Sequence, residues 1–488
     1  MSTDPETPGG RSSTLADLPN NLDPHQWPQS RKLLFVTIVC YADGLTFLIS
    51  MMLAASLSQI TQTFHPPKSH DWLVSFAVTV YILGFATGPL ILAPLTDFIG
   101  RVWILRLTSL VYLIFTVACG ASTSLEMLVA MRFFAGAAGG APVAIGPAVV
   151  CDMYPRAEQE KVIAWCSASI MLAPALGPIL GGAITGWIGW RWMFWIAGML
   201  AGVCVALMWV LKETHGPTLL RNAERKIAMN TEKKRKSALS KALSSWRDQS
   251  ISLNLRRAIS NSITISSYAP SFAILFSSLV SNGLGNIILS SLATVFQTAY
   301  AFSPAKAGLS YLGLAAGEAF GLAVSPPVAR FLIKKLQPQV SNAEIYPQHT
   351  LPAMAIGGCV ASLGLVLYGW TCKARLHWII PILSLGLFNM GYMGFKWTTQ
   401  MYLINAVPGF TGSGLGAHTV FHSVGGAFIP MPTFAMYSRI GYGWGNSVVA
   451  LLHLILSAVP FAMYIKSRQL QDEWVIRLGK EHRGVDEA

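Results

Sequence analysis

Arg191-Trp-Met-Phe-Trp-Ile-Ala-Gly-Met-Leu-Ala-Gly-Val-Cys-Val-Ala-Leu-Met-Trp-Val-Leu211 carries one charge, at its first position, and is uncharged and almost wholly apolar from there to its end. As an α-helix at 1.5 Å per residue, such a stretch spans about 30 Å, the thickness of a hydrocarbon core. Blocks of this kind recur at residues 33–57, 72–95, 103–122, 126–151 and 162–187 before it. They resume at 269–295, 306–329, 351–371, 377–403, 413–436 and 444–465. Apolar residues make up 53% of the chain and charged residues 12%, about half the usual charged share, so a water-soluble core cannot account for them. Backbone polar groups in lipid must be satisfied inside each segment, which selects helices. The pattern predicts an all-α polytopic membrane protein of twelve transmembrane helices in two six-helix bundles.

The domain organisation follows from the gaps between blocks. Residues 1–32 read as a polar N-terminal tail, 33–211 as the first bundle, 212–265 as a basic loop, 266–466 as the second bundle and 467–488 as a C-terminal tail. The loop holds Arg225-Lys226 and Lys233-Lys234-Arg235-Lys236, the composition of a short amphipathic helix lying on a membrane surface. With the N-terminus inside, 27 of the 35 Lys and Arg residues fall on the cytoplasmic side, six outside and two (Arg132, Lys396) within spans. Cytoplasmic enrichment of Lys and Arg therefore places both termini inside. Trp72, Trp187, Trp190, Trp378 and Trp444 fall near span ends, where interfacial anchors belong.

The net charge of +13 would suggest a nucleic-acid partner in a soluble protein, but here it sits in loops without an aromatic stacking platform, so none is expected. The seven cysteines lack metal-ligand or disulfide-framework spacing and read as small apolar residues; neither a metal nor a cofactor is expected. Residues 1–30 lack a basic segment followed by an apolar core, so the first span is expected to target the chain without a cleaved leader.

Three stretches of the first half carry motif information. Gly88-Pro-Leu-Ile-Leu-Ala-Pro-Leu-Thr-Asp97-Phe-Ile-Gly100-Arg101 joins the second and third spans, with a turn glycine and two charges suited to locking helix ends. Arg132-Phe-Phe-Ala-Gly136-Ala-Ala-Gly139-Gly140 puts a cation inside the fourth span, at a cost of at least ~2.5–3.5 kcal/mol unless it faces a cavity or a partner. Pro174-Ala-Leu-Gly177-Pro178-Ile-Leu-Gly181-Gly182 makes the fifth span bendable and flat-faced.

In their order and spacing, with Gly189-Trp-Arg-Trp-Met-Phe-Trp195, Phe302-Ser-Pro-Ala-Lys-Ala-Gly308 and Tyr442-Gly-Trp-Gly-Asn446, these stretches resemble the twelve-span fungal drug:proton antiporters of the major facilitator superfamily. The resemblance runs from about Trp27 to Lys466. It implies that Asp97, Gly100 and Arg101 form a conformational lock, that Arg132 takes part in proton coupling, and that Pro174, Gly177, Pro178, Gly181 and Gly182 are an antiporter signature. Phe98 and Val102 stand where many members are basic, and Ala135 where glutamine is common.

Asp43 lies about ten residues, or ~15 Å, into the first span, and Glu318 at matching depth in the eighth. A carboxylate alone in low dielectric is poorly tolerated as an ion and exchanges protons, which makes both candidates for proton coupling. Asp43 could instead neutralise Arg132 as a fixed ion pair, and Glu318 could serve as a substrate counter-charge or a helix–helix hydrogen-bonding group. Lys396 reads as snorkelling to the headgroups. His418 and His422, at i and i+4, read as cavity groups, since no third metal ligand stands nearby. Phe47, Tyr81, Asn282, Asn286, Gln297, Asn389 and Gln400 complete the candidate substrate cavity.

The function expected from these readings is export of a small amphipathic organic molecule, a drug or secondary metabolite, by proton antiport with alternating access. The partners expected are substrate, protons and lipid, for a monomer in the plasma membrane or, alternatively, a vacuolar or other internal membrane. Proton symport or facilitated uptake is the alternative. A membrane enzyme or sensor ranks below both, because P-loop, His-Glu-x-x-His and Gly-x-Ser-x-Gly motifs are all missing.

Overall fold

The structure, a computed structural model, describes residues 24–65, 71–214, 216, 218–219, 263–336, 347–406 and 411–486. The expected basic loop helix therefore lies outside the described residues, as does most of the N-terminal tail. The first bundle comprises α1 (Gln29–Met52), α2 (Leu57–Phe64), α3 (Asp71–Ile99), α4 (Arg101–Gly120), α5 (Leu125–Met153), α6 (Arg156–Ile188) and α7 (Trp190–Val210). The second comprises α8 (Ala269–Ala299), α9 (Pro304–Leu309), α10 (Tyr311–Leu336), α11 (Leu351–Lys373), α12 (Ile379–Ala406), α13 (Thr411–Phe428) and α14 (Thr433–Asp486). A 3-10 turn, Leu53–Ser56, joins α1 to α2 within one crossing. Among the described residues ten helices are long and apolar enough to cross a membrane; α6 and α13 supply the remaining two of twelve crossings.

Helix pairing repeats between the halves. In the first, α1 packs on α6, α3 on α5, and α4 on both α5 and α7. In the second, α8 packs on α13, α10 on α12, and α11 on both α12 and α14. These are the same pairings six crossings later, so the halves share one plan. Contacts between the halves keep the exchange as well: α3 meets α13, and α6 meets α9 and α10. Small residues allow the closest approaches, as at Gly136 and Gly140 of α5, which lie against the carbonyls of Tyr81 and Phe85 on α3.

Two linkers are single glycines. Gly100 (φ +105°) turns α3 into α4, a backbone region that residues with a Cβ rarely adopt. Gly189 (φ +96°) does the same between α6 and α7, and Gly441 (φ +74°) breaks α14 at the equivalent place of the second half. The predicted block 413–436 is one crossing interrupted by a turn at residues 429–432, where Pro430 and Pro432 withhold their N–H donors. Trp190 departs from its expected interfacial place: it is buried, donating Nε1–H to Thr63 Oγ1 at 3.1 Å, because the Gly189 turn folds it under α2. Trp72, Trp187, Trp378 and Trp444 are exposed.

Candidate functional site

Between the bundles lies a cavity of about 350 Å³. The first bundle contributes a wall that is mostly apolar: Phe47, Ser50 and Met51 of α1, and Tyr81, Ile82 and Phe85 of α3. Phe47 and Phe85 pack ring to ring with centroids 5.2 Å apart. The second bundle supplies nearly all the polar groups. Asn282 and Asn286 come from α8 and Glu318 from α10. From α12 come Asn389, Tyr392, Lys396 and Gln400, and from α13 His418 and His422.

Most of these polar groups are fixed to one another. Tyr392 donates its hydroxyl to Asn282 Oδ1 at 2.7 Å, and Asn282 Nδ2 donates to the His422 carbonyl at 2.6 Å. Asn286 Nδ2 donates to Asn282 Oδ1 at 3.1 Å, and Asn389 Nδ2 to the Leu314 carbonyl at 2.7 Å. His418 Nε2 and the Ser278 hydroxyl share a hydrogen at 2.9 Å. The rings of His418 and His422 lie 5.4 Å apart, yet no three His, Cys, Asp or Glu side chains gather as metal ligands among the described residues.

Lys396, read from sequence as snorkelling, lines the cavity. The reason is register: Asn389, Tyr392, Lys396 and Gln400 step by three or four residues, so they share one face of α12. That spacing is visible in the sequence and is the signal that could have placed both Lys396 and Tyr392, a residue the sequence reading missed. Gln297 is absent from the cavity lining. It lies at one end of the bundle interface, where Ser58 Oγ donates to its Oε1 at 2.9 Å and its Nε2 donates to the Ala55 carbonyl at 3.4 Å.

Asp43 and Arg132 stand behind the cavity wall. Asp43 sits one turn from Phe47 on the same stripe of α1, is 2% exposed, and has an Oδ1 with no hydrogen-bond partner among the described residues. Its neighbours are small: Gly146 of α5, and the thiols of Cys40 and Cys166, which lie 2.9 Å apart. Arg132 is 1% exposed; its Nη2 donates to the carbonyls of Ser50 at 2.9 Å and Val78 at 3.4 Å, and its guanidinium lies 5.1 Å from the centre of the Tyr81 ring. The junction of α1 with the 3-10 turn explains the first contact, since the change of pairing leaves carbonyls of the last α turn to other donors. No Asp43–Arg132 ion pair forms among the described residues. Gly146, which faces Asp43, is fourteen residues and so roughly 21 Å along α5 from Arg132.

At the other end of α3 the turn expected to act as a lock is held by partners the sequence did not announce. The Asp97 side chain lies outside the described residues. Gly100 forms the turn, and the N–H groups of Arg101 and Val102 donate to the two carboxylate oxygens of Glu213, at 3.0 and 3.3 Å. Arg101 Nε pairs with Asp152 Oδ2 at 3.1 Å, tying the start of α4 to the end of α5. A carboxylate on the first N–H groups of a helix satisfies orphan donors and meets the positive end of the dipole. Glu213→Gln is expected to cost about 1 kcal/mol, read as a lower unfolding temperature of the protein in nanodiscs. An unchanged unfolding temperature would remove Glu213 from the lock.

The proline-and-glycine stretch of α6 lies at the seal between bundles; the Pro174 side chain is outside the described residues. Gly177 faces the Leu48 carbonyl and Gly181 the Met52 carbonyl of α1. Gly182 faces the Pro304 carbonyl of α9, and Gly308 of α9 faces the Pro178 carbonyl. Thr79 Oγ1 donates to the Ala427 carbonyl at 2.8 Å, and Phe76 stacks on Phe428. These contacts close the cavity at the end where α2, α9 and the turn after α13 meet.

The Major Facilitator Superfamily model matches residues 39–430. The MFS-type transporter hepF of Aspergillus oryzae is 30% identical over 95% of this chain and 94% of its own length. The efflux pump radE of Floropilus chiversii is 32% identical over 92% of this chain and 82% of its own. Among solved structures, a D-xylose-proton symporter shares the fold with a TM-score of 0.65 at 14% identity, covering 88% of this chain and 97% of that one.

Proposed function

This chain belongs to the major facilitator superfamily, and from that premise we propose that it exports a small amphipathic organic molecule, a drug or secondary metabolite, in exchange for protons. That it is a multi-pass membrane transporter follows from the family and the spans together. The observation that carries the reading of an amphipathic cargo is the cavity itself: aromatic on one bundle, hydrogen-bonding on the other, and sealed at one end only by contacts between bundles. A pocket of that kind suits a cargo with an apolar body and a polar edge. The name of the Floropilus chiversii relative as an efflux pump supports the direction.

In this reading the bundles rock about the cavity and expose it to each side in turn. With both termini cytoplasmic, the sealed end is the outer one, and the protein stands open toward the cytoplasm, where an exporter loads. Asp43 carries the proton. It lies on the α1 stripe that also lines the cavity, so its charge state can bias how α1 meets α6 and hence which end is sealed. Exchange arises because proton and cargo favour opposite states, and each ligand shifts the equilibrium only by its differential affinity. Arg132 holds Ser50 and Tyr81 in place, and Glu318 provides a second acidic group inside the cavity itself. The protein acts as a monomer, in the plasma membrane.

The test is efflux of amphipathic dyes from loaded proteoliposomes under an imposed pH difference, with and without a protonophore. Efflux that rises with external acidity and stops with protonophore is the expected result. Movement that follows the proton inward would assign symport instead, and movement indifferent to the protonophore would assign facilitated diffusion.

A further inference from the structure

Glu318 and Lys396 share the cavity wall, feel one another's charge, and yet form no ion pair among the described residues. Neither side chain has a hydrogen-bond partner among the described residues, while Asn282, Asn286, Asn389, Tyr392 and His418 around them are all tied down. With most of the neutral polar groups around them tied down, the two opposite charges are presented to whatever fills the space. We propose that Lys396 and Glu318 read the cargo's polar edge: Lys396 donates to an acceptor such as a carbonyl, Glu318 accepts from a donor such as a hydroxyl, and the cargo carries both groups on one flat apolar body.

Three features support this chemistry. The two residues together are electrically balanced, so a cargo without net charge leaves no uncompensated charge in the cavity. His418 and His422 lie within electrostatic reach of Lys396, and the bonds of His418 to Ser278 and of the His422 carbonyl to Asn282 tie their face of α13 to α8. Opposite them stand Phe47 and Phe85, a pair of rings that no polar residue interrupts, which suits the flat face of the cargo. Selectivity then comes from hydrogen bonding. A site built to pair a polar group rejects an analogue lacking it far more strongly than an apolar pocket rejects a missing methylene.

The inference rests on the cavity being the cargo site, and its test avoids transport altogether. Binding is measured at equilibrium on the protein in nanodiscs, with three fluorescent probes: a naphthalene bearing a hydroxyl and an acetyl group, its methyl ether, and the naphthol lacking the acetyl group. In the wild type each deletion is expected to weaken binding about tenfold, the effect of one charge-assisted hydrogen bond. In Glu318→Met the methyl ether and the hydroxyl probe should bind alike, while the acetyl group still matters. In Lys396→Met the acetyl group should lose its effect, while the hydroxyl still matters. Glu318→Gln and Lys396→Arg, which keep an acceptor and a donor, should retain part of each preference and guard against a folding defect in the methionine variants. Equal binding of all three probes to the wild type, or losses that fail to follow the matching variant, would overturn the assignment. Failure of the efflux test with this pattern intact would refute export and leave the recognition site standing.

Discussion

Asp43→Asn is expected to abolish proton-driven concentration of cargo while leaving the protein folded and able to bind. The amide has the same shape as the carboxyl group, and Asp43 Oδ1 has no hydrogen-bond partner to lose among the described residues. What the substitution removes is the ability to take and release a proton. A difference of one pH unit acting on one exchanged proton supplies about 1.4 kcal/mol, which sustains roughly a tenfold concentration ratio. In proteoliposomes that ratio should collapse to equality in Asp43→Asn, whereas exchange of labelled for unlabelled cargo without a gradient should persist. Because Asp43 is outside the cavity lining, probe affinity should also stay within about twofold, well under the tenfold mark of a lost charge-assisted contact. Undiminished accumulation in this variant would rule out Asp43 as the carrier and pass the role to Glu318.

Gly182→Val is expected to hold the sealed end open. A Cβ at this position falls on the Pro304 carbonyl of the opposite bundle, and backbone cannot swing aside as a long side chain can. Overpacking of this kind costs about 1–3 kcal/mol. Applied to one of two alternating states, it shifts their ratio roughly 5- to 150-fold, with turnover falling as the sealed state empties. The state is read directly by labelling: Ser58→Cys lies within that seal, hydrogen-bonding distance from Gln297 in the native chain, and should react faster with maleimide once Gly182→Val is added. Gly186→Val, one turn further along the same helix, is the control, since nothing lies within 4 Å of a Cβ placed there. If Gly186→Val slowed transport as much as Gly182→Val, the loss would come from a β-branched residue in α6 and not from the seal.

Both experiments probe residues that the sequence marked as candidates without showing their surroundings. The glycines of α6 stood out as a run, but a run of small residues does not say which neighbour comes close. Gly181 faces α1 inside its own bundle, whereas Gly182 faces the other bundle. Asp43 stood out by depth in an apolar block, yet depth left open an ion pair with Arg132. The structure instead gives Arg132 two carbonyls and an aromatic face, because an α-helix changing to a 3-10 turn exposes acceptors that hydropathy does not reveal.

The sequence alone determined that this chain crosses a membrane many times in two sets, where most spans begin and end, and which family it resembles. Those properties depend on segment length, hydropathy and the backbone freedom of glycine, all of them local. Tertiary structure decided which polar groups meet: Lys396 turned into the cavity and Gln297 away from it, Glu213 and Asp152 joined to the α3–α4 turn, and Glu318 left facing Lys396 without a bond. Each depends on the rotation of one helix against another, set by close packing between residues far apart in the chain.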